Sequence, residues 1–157
     1  MVAEGQEAPD FNLPDQDGKE VTLSELRGQP VVLYFFPKAD TPGCTAQACG
    51  VRDHSSDYAG SGARVVGVSP DTVAAQRKLA DKYGLDFTLL ADENHEVAEL
   101  YGVWGEKKMY GKSYMGVQRA TFIIDPDGTV AHVIPKASPK THDDVVLGAL
   151  AELASPA

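Results

Sequence analysis

Six consecutive residues, Val31-Val32-Leu33-Tyr34-Phe35-Phe36, are apolar at every position, and Pro37 ends the run. A strand with one wet face alternates apolar and polar side chains, and this one does not, so it must be buried on both faces in the middle of a sheet. Such a strand demands neighbours on either side and a layer above and below. It is the longest apolar run and far too short to span a bilayer. With 157 residues, 43% of them hydrophobic, the chain can build that core without staples. Residues 1–157 read as a single domain.

The other elements follow from local signals. Asp10–Leu23 reads as a hairpin, Phe11-Asn12-Leu13 against Glu20–Leu23 around Asp17-Gly18. Ser24–Arg27 is one helical turn. A long helix is expected from Thr41, with Pro42 at the tolerated first position and Gly60 as its stop. Cys44, Ala48, Val51, Ser55 and Tyr58 fall on one of its faces. Arg64–Val68 is a second buried strand. Asp71–Tyr83 is a helix with Val73, Leu79, Ala80 and Tyr83 inward, Thr88–Leu90 a short strand, and His95–Tyr101 a short helix. Gly102–Gly116 reads as an irregular segment. Its Trp104, Tyr110, Tyr114 and Met115 are expected as core or cover residues rather than as the lining of a binding or partner surface. Thr121–Asp125 and Thr129–Ile134 form a hairpin, and a last helix from about Asp143 turns Val146, Ala149, Leu150 and Leu153 inward. This order implies an α/β fold, a mixed central sheet with helices on both faces. That is the pattern of a thioredoxin-like fold.

A net charge of −9 argues against nucleic acid, whose phosphates are bound by clustered Lys and Arg. The first residues lack the basic and apolar regions of a signal peptide, so a reducing cytoplasm is expected. In that compartment the only two cysteines, Cys44 and Cys49, are poor candidates for a permanent staple. Buried inert thiols, metal ligands or redox chemistry remain.

The segment from Phe36 to Cys49 carries the chemistry. A buried strand delivers the chain to its carboxyl end, where open α/β sheets place their sites. If Thr41 is the N-cap, Cys44 is the third helical residue, where the unpaired N–H groups and the helix dipole favour thiolate over thiol. A thiolate is the nucleophile that peroxide chemistry needs. Thr41 can be a plain cap as well as a hydroxyl donor, and Pro37 can simply end a strand.

Pro37, Thr41 and Cys44 fit P-x-x-x-T-x-x-C, and Thr-Pro-Gly-Cys-Thr-Ala-Gln-Ala-Cys extends it. With Gly102–Lys107 and Arg119-Ala120-Thr121-Phe122-Ile123-Ile124-Asp125, nearly the whole chain resembles the peroxiredoxins of the peroxiredoxin Q group, also called bacterioferritin comigratory protein. The resemblance implies that Cys44 is the peroxidatic and Cys49 the resolving cysteine, and that Arg119 is the active-site arginine. Without it, Arg119 would read as a solvated charge at a strand edge. It further implies reduction of hydrogen peroxide and organic hydroperoxides through a Cys44 sulfenic acid and a Cys44–Cys49 disulfide. A thioredoxin-type dithiol would be the reductant, with no metal, haem or flavin cofactor, in a monomer.

Two other readings compete. Cys44, Cys49 and His54 could hold a soft metal, but a closed zinc site wants four ligands and tighter cysteine spacing. A thiol–disulfide exchange protein normally uses C-x-x-C, whereas four residues intervene here.

Overall fold

The computed structural model describes residues 2–37, 42–60, 62–85, 87–109, 111–135 and 142–154. Its centre is strand β3 (Val31–Phe35), buried at all five positions. On one side it pairs in parallel with β4 (Arg64–Ser69), and on the other antiparallel with β8 (Ala120–Ile124). Strand β5 (Thr88–Ala91) extends the sheet beyond β4, and β9 (Val130–Pro135) beyond β8, giving the order β5-β4-β3-β8-β9. The double-sided burial demanded by the apolar run is met by two separate clusters. Val32, Tyr34 and Phe36 point to one, with Ala48, Val51, Tyr58, Leu79, Val146 and Leu150. Leu33 and Phe35 point to the other, with Phe11, Leu23, Val97, Tyr101 and Phe122.

The first cluster lies under helices α1 (Pro42–Asp53), α2 (Ser55–Gly60), α3 (Val73–Tyr83) and α5 (His142–Ala154). The second is closed by a 3-10 turn at Leu23–Leu26 and by α4 (Glu96–Leu100). The hairpin of β1 (Asn12–Pro14) and β2 (Glu20–Thr22) leads into it. Asp92, 3% exposed, enters α4 by accepting hydrogen bonds from the Val97 and Ala98 N–H groups at 3.3 and 3.0 Å.

Three expectations need correction. The single helix expected from Thr41 to Gly60 breaks at His54, whose N–H and ring Nδ1 both approach the Gly50 carbonyl oxygen, at 3.1 and 2.8 Å. The third helix begins at Val73, because the Thr72 side chain caps the Ala75 N–H, and buries Gln76 rather than Val73 beside Leu79 and Ala80. Gly102–Gly116 is not irregular. It contains a two-stranded hairpin, β6 (Trp104–Met109) and β7 (Lys112–Val117), entered at its tip by Gly111 at φ 77°. Among the described strands the pair joins no other, and its sequence shows no period-two alternation that would announce it. Met115, expected as a core or cover residue, is 55% exposed on it. Trp104 packs partly buried against the core and lies on the His95 ring, 3.7 Å between centroids and 3° from parallel. Tyr110 lies outside the described residues.

Candidate active site

The carboxyl end of β3 and the start of β8 meet at one edge of the sheet, because the antiparallel register pairs Phe35 with Ala120. Pro37, half-buried, follows β3, and Arg119, also half-buried, immediately precedes β8. Two residues 82 positions apart in sequence are thus brought to the same end of neighbouring strands. The approach to Arg119 is fixed by the Gln118 N–H, which donates to the Val103 carbonyl at 2.7 Å.

From that end the chain enters α1 at Pro42, and Cys44 is the third residue of the helix. The first turn contains no acidic residue to oppose a thiolate there. The leading N–H groups of a helix have no partner within it, and their partial positive charge favours an anion. Thr41, expected as N-cap and hydroxyl donor, lies outside the described residues.

Cys49 is half-buried, carries a free thiol, and lies inside the same helix. Five residues of ideal helix give a rise of ~7.5 Å and a rotation of ~140°. The Cα atoms of Cys44 and Cys49 then stand about 8–9 Å apart, beyond the roughly 7 Å that a disulfide tolerates.

Arg52 lies one turn beyond Cys49. It donates from Nη1 to the Tyr83 carbonyl at 2.7 Å and lies 2.9 Å from Asp53 Oδ1 through Nη2. The hydrogen bond to Asp53, and next the charge that Cys49 can carry, hold its guanidinium above the ordinary value. His54, weighed above as a metal ligand, directs Nδ1 at the Gly50 carbonyl. No group of three His, Cys, Asp or Glu side chains suited to a metal occurs among the described residues.

Beneath the site lies a buried polar contact that no local pattern announced. His142, fully buried at the start of α5, meets Thr121 Oγ1 at 2.8 Å through Nε2. Thr121 is the cross-strand partner of Tyr34, whose ring centroid is 6.0 Å from that of His142. The only signal for this contact in the sequence is a histidine ahead of an amphipathic helix, which has many other readings.

The AhpC/TSA family matches residues 4–133. The peroxiredoxin Bcp of Escherichia coli K12 is 49% identical over 148 residues, covering 94% of this chain and 95% of its own. Among solved structures, the peroxidoxin BcpB of Mycobacterium tuberculosis superposes with a TM-score of 0.88 at 41% identity, covering 99% of this chain and all of that one. A Xanthomonas campestris bacterioferritin comigratory protein, studied for its alkyl peroxide reduction activity, gives 0.90 at 32% identity, over 98% of this chain and 100% of the other. With its mixed sheet, its thioredoxin-like fold and its helix-borne cysteine pair, the chain belongs to the AhpC/TSA family, as a thiol peroxidase of the peroxiredoxin Q, or bacterioferritin comigratory protein, group.

Proposed function

We propose that this chain reduces hydrogen peroxide and organic hydroperoxides with Cys44 and then closes a disulfide to Cys49. The observation that supports it best is the shared helix. Both cysteines lie in α1, behind the carboxyl end of the central strand, with Arg119 at the neighbouring strand end.

In the first step the Cys44 thiolate attacks one peroxide oxygen. The O–O bond breaks, the departing oxygen takes a proton and leaves as water or an alcohol, and Cys44 becomes a sulfenic acid. The Thr41 hydroxyl, the Cys44 N–H and the Arg119 guanidinium are the donors that would hold the oxygens as charge moves outward. Pro37 turns the chain from β3 into this segment. In the second step the Cys49 sulfur attacks the Cys44 sulfur, an S–S bond forms, the S–O bond breaks, and water leaves. The helical spacing forbids that bond while α1 is intact, so the start of α1 must unwind, through at least Cys49. A thioredoxin-type dithiol then restores both thiols by disulfide exchange.

A coupled assay tests the reading. Hydrogen peroxide and an organic hydroperoxide are supplied with a thioredoxin system or a glutathione system, to wild type and to Cys44→Ser. Peroxide consumption by wild type and none by the variant is expected. Consumption that survives Cys44→Ser would overturn it, and so would thiol exchange without peroxide consumption.

A further inference from the structure

Unwinding that starts at the front of α1 has to stop somewhere, and the packing of the helix marks where. Ala48 is 2% exposed and Val51 1% exposed, both in the cluster beneath the helix, whereas Cys49 and Gly50 are only half-buried. Among the described side chains, releasing the chain through Cys49 strips one methyl group, that of Ala48, from the core. Going further must withdraw the whole Val51 side chain.

Two polar contacts reinforce that boundary. The Gly50 carbonyl is approached by both the N–H and the ring Nδ1 of His54, so the turn from Gly50 to His54 is tied twice. Arg52 reaches off the helix altogether. Its Nη1 donates to the carbonyl of Tyr83, the last residue of α3, at 2.7 Å. The last carbonyls of a helix have no partner within it, and a cation there is favoured by the helix dipole. Asp53 holds the other side of the guanidinium, 2.9 Å from Nη2 and 3.0 Å from Nε.

We propose that Arg52 is a positioning residue for the resolving step, pinning the last turn of α1 to the end of α3 so that unwinding frees Cys49 and stops before Arg52. The anchored turn keeps the freed Cys49 on a short tether near the Cys44 sulfenic acid. This inference rests on the reading that Cys49 closes a disulfide by local unwinding of α1.

Hydrogen exchange on the full chain tests it, with wild type, Arg52→Met and Arg52→Lys each measured as dithiol and as Cys44–Cys49 disulfide. In wild type, oxidation should remove protection up to about Gly50 and leave Asp53–Tyr58 protected. In Arg52→Met the Asp53–Tyr58 amides should exchange about tenfold faster in the disulfide form and within about threefold of wild type in the dithiol form. Arg52→Lys, which keeps one donor for the Tyr83 carbonyl, should restore the wild-type boundary. Equal acceleration in both redox forms would reduce Arg52 to a general stabiliser and overturn the proposal. Unchanged exchange in Arg52→Met, or a wild-type disulfide form already unprotected through Tyr58, would overturn it too. A wild-type disulfide form with no loss of protection before Gly50 would instead remove the unwinding reading itself.

Discussion

Gly67 and Tyr34 compete for one space: a Cβ built on Gly67 would stand 2.8 Å from Cζ of Tyr34 and 2.9 Å from its hydroxyl oxygen. The two are register partners on the parallel strands β4 and β3. The Tyr34 ring, 1% exposed, brings its hydroxyl end over Gly67 and stacks on Phe36 at 5.4 Å, in the cluster that carries Ala48 and Val51. The missing side chain at position 67 therefore seats the layer on which α1 rests. Gly67→Ala should destabilise the fold by about 1–3 kcal/mol, as overpacking a tight core does. A shift of the urea midpoint with an unchanged slope would register it. A loss below about 0.5 kcal/mol would mean that the ring moves aside freely.

The cysteines should separate cleanly by role. Cys44→Ser should abolish peroxide reduction, because an unactivated hydroxyl cannot stand in for a thiolate. Cys49→Ser should react once with peroxide and accumulate a sulfenic acid that dimedone traps, seen by mass spectrometry. If the two variants exchange behaviours, the assignment is wrong.

Arg119→Met should slow the first oxidation step by roughly 10²-fold, the usual cost of losing one preorganised donor at a site of developing charge. Stopped-flow oxidation of the dithiol form by hydrogen peroxide gives this rate directly. A rate equal to wild type would take Arg119 out of the site.

How far could the sequence foresee this arrangement? The central strand was legible because burial on both faces leaves an unbroken apolar run at Val31–Phe35. The start of α1 was legible because Pro42 suits a first helical turn. The hairpin Trp104–Val117 escaped detection because its residues show no alternation of apolar and polar side chains. Arg119 looked like an ordinary surface charge until the family resemblance singled it out. Its place beside Pro37 depends on the antiparallel pairing of β8 with β3, which is a long-range fact. Contacts such as Arg52 to Tyr83 and His142 to Thr121 join distant segments through single side chains, and no periodicity records them.

Gly50→Ala should slow disulfide closure by up to about fivefold while leaving peroxide attack nearly unchanged. The substitution stabilises the helix that must unwind, by up to about 1 kcal/mol. Rapid-mixing experiments resolve the two phases, since only the first depends on peroxide concentration. Equal slowing of both phases would count against unwinding as the gate.

Asp92 should leave a mark on how stability changes with pH. Burial pushes its carboxyl above the ordinary value, more than the hydrogen bonds from Ala98, Val97 and Glu96 pull it back. A carboxyl raised in the folded state holds its proton longer there than in the unfolded chain. Its contribution is therefore full below the unfolded value of about 4 and is lost as pH rises through the raised one. Urea titrations of wild type and Asp92→Asn should show the wild type losing stability relative to the variant as pH climbs through that window. A difference independent of pH would contradict the shift.

Trp104 is the chain's only tryptophan, and its indole lies flat on the His95 ring at the root of the β6–β7 hairpin. The protein's ultraviolet-excited tryptophan emission therefore comes from one joint, where the hairpin meets the turn into α4. An imidazole stacked face to face on an indole makes that emission sensitive to any sliding or parting of the rings. A spectrum followed through peroxide addition and re-reduction would thus report, without a label, whether the catalytic cycle disturbs the hairpin root.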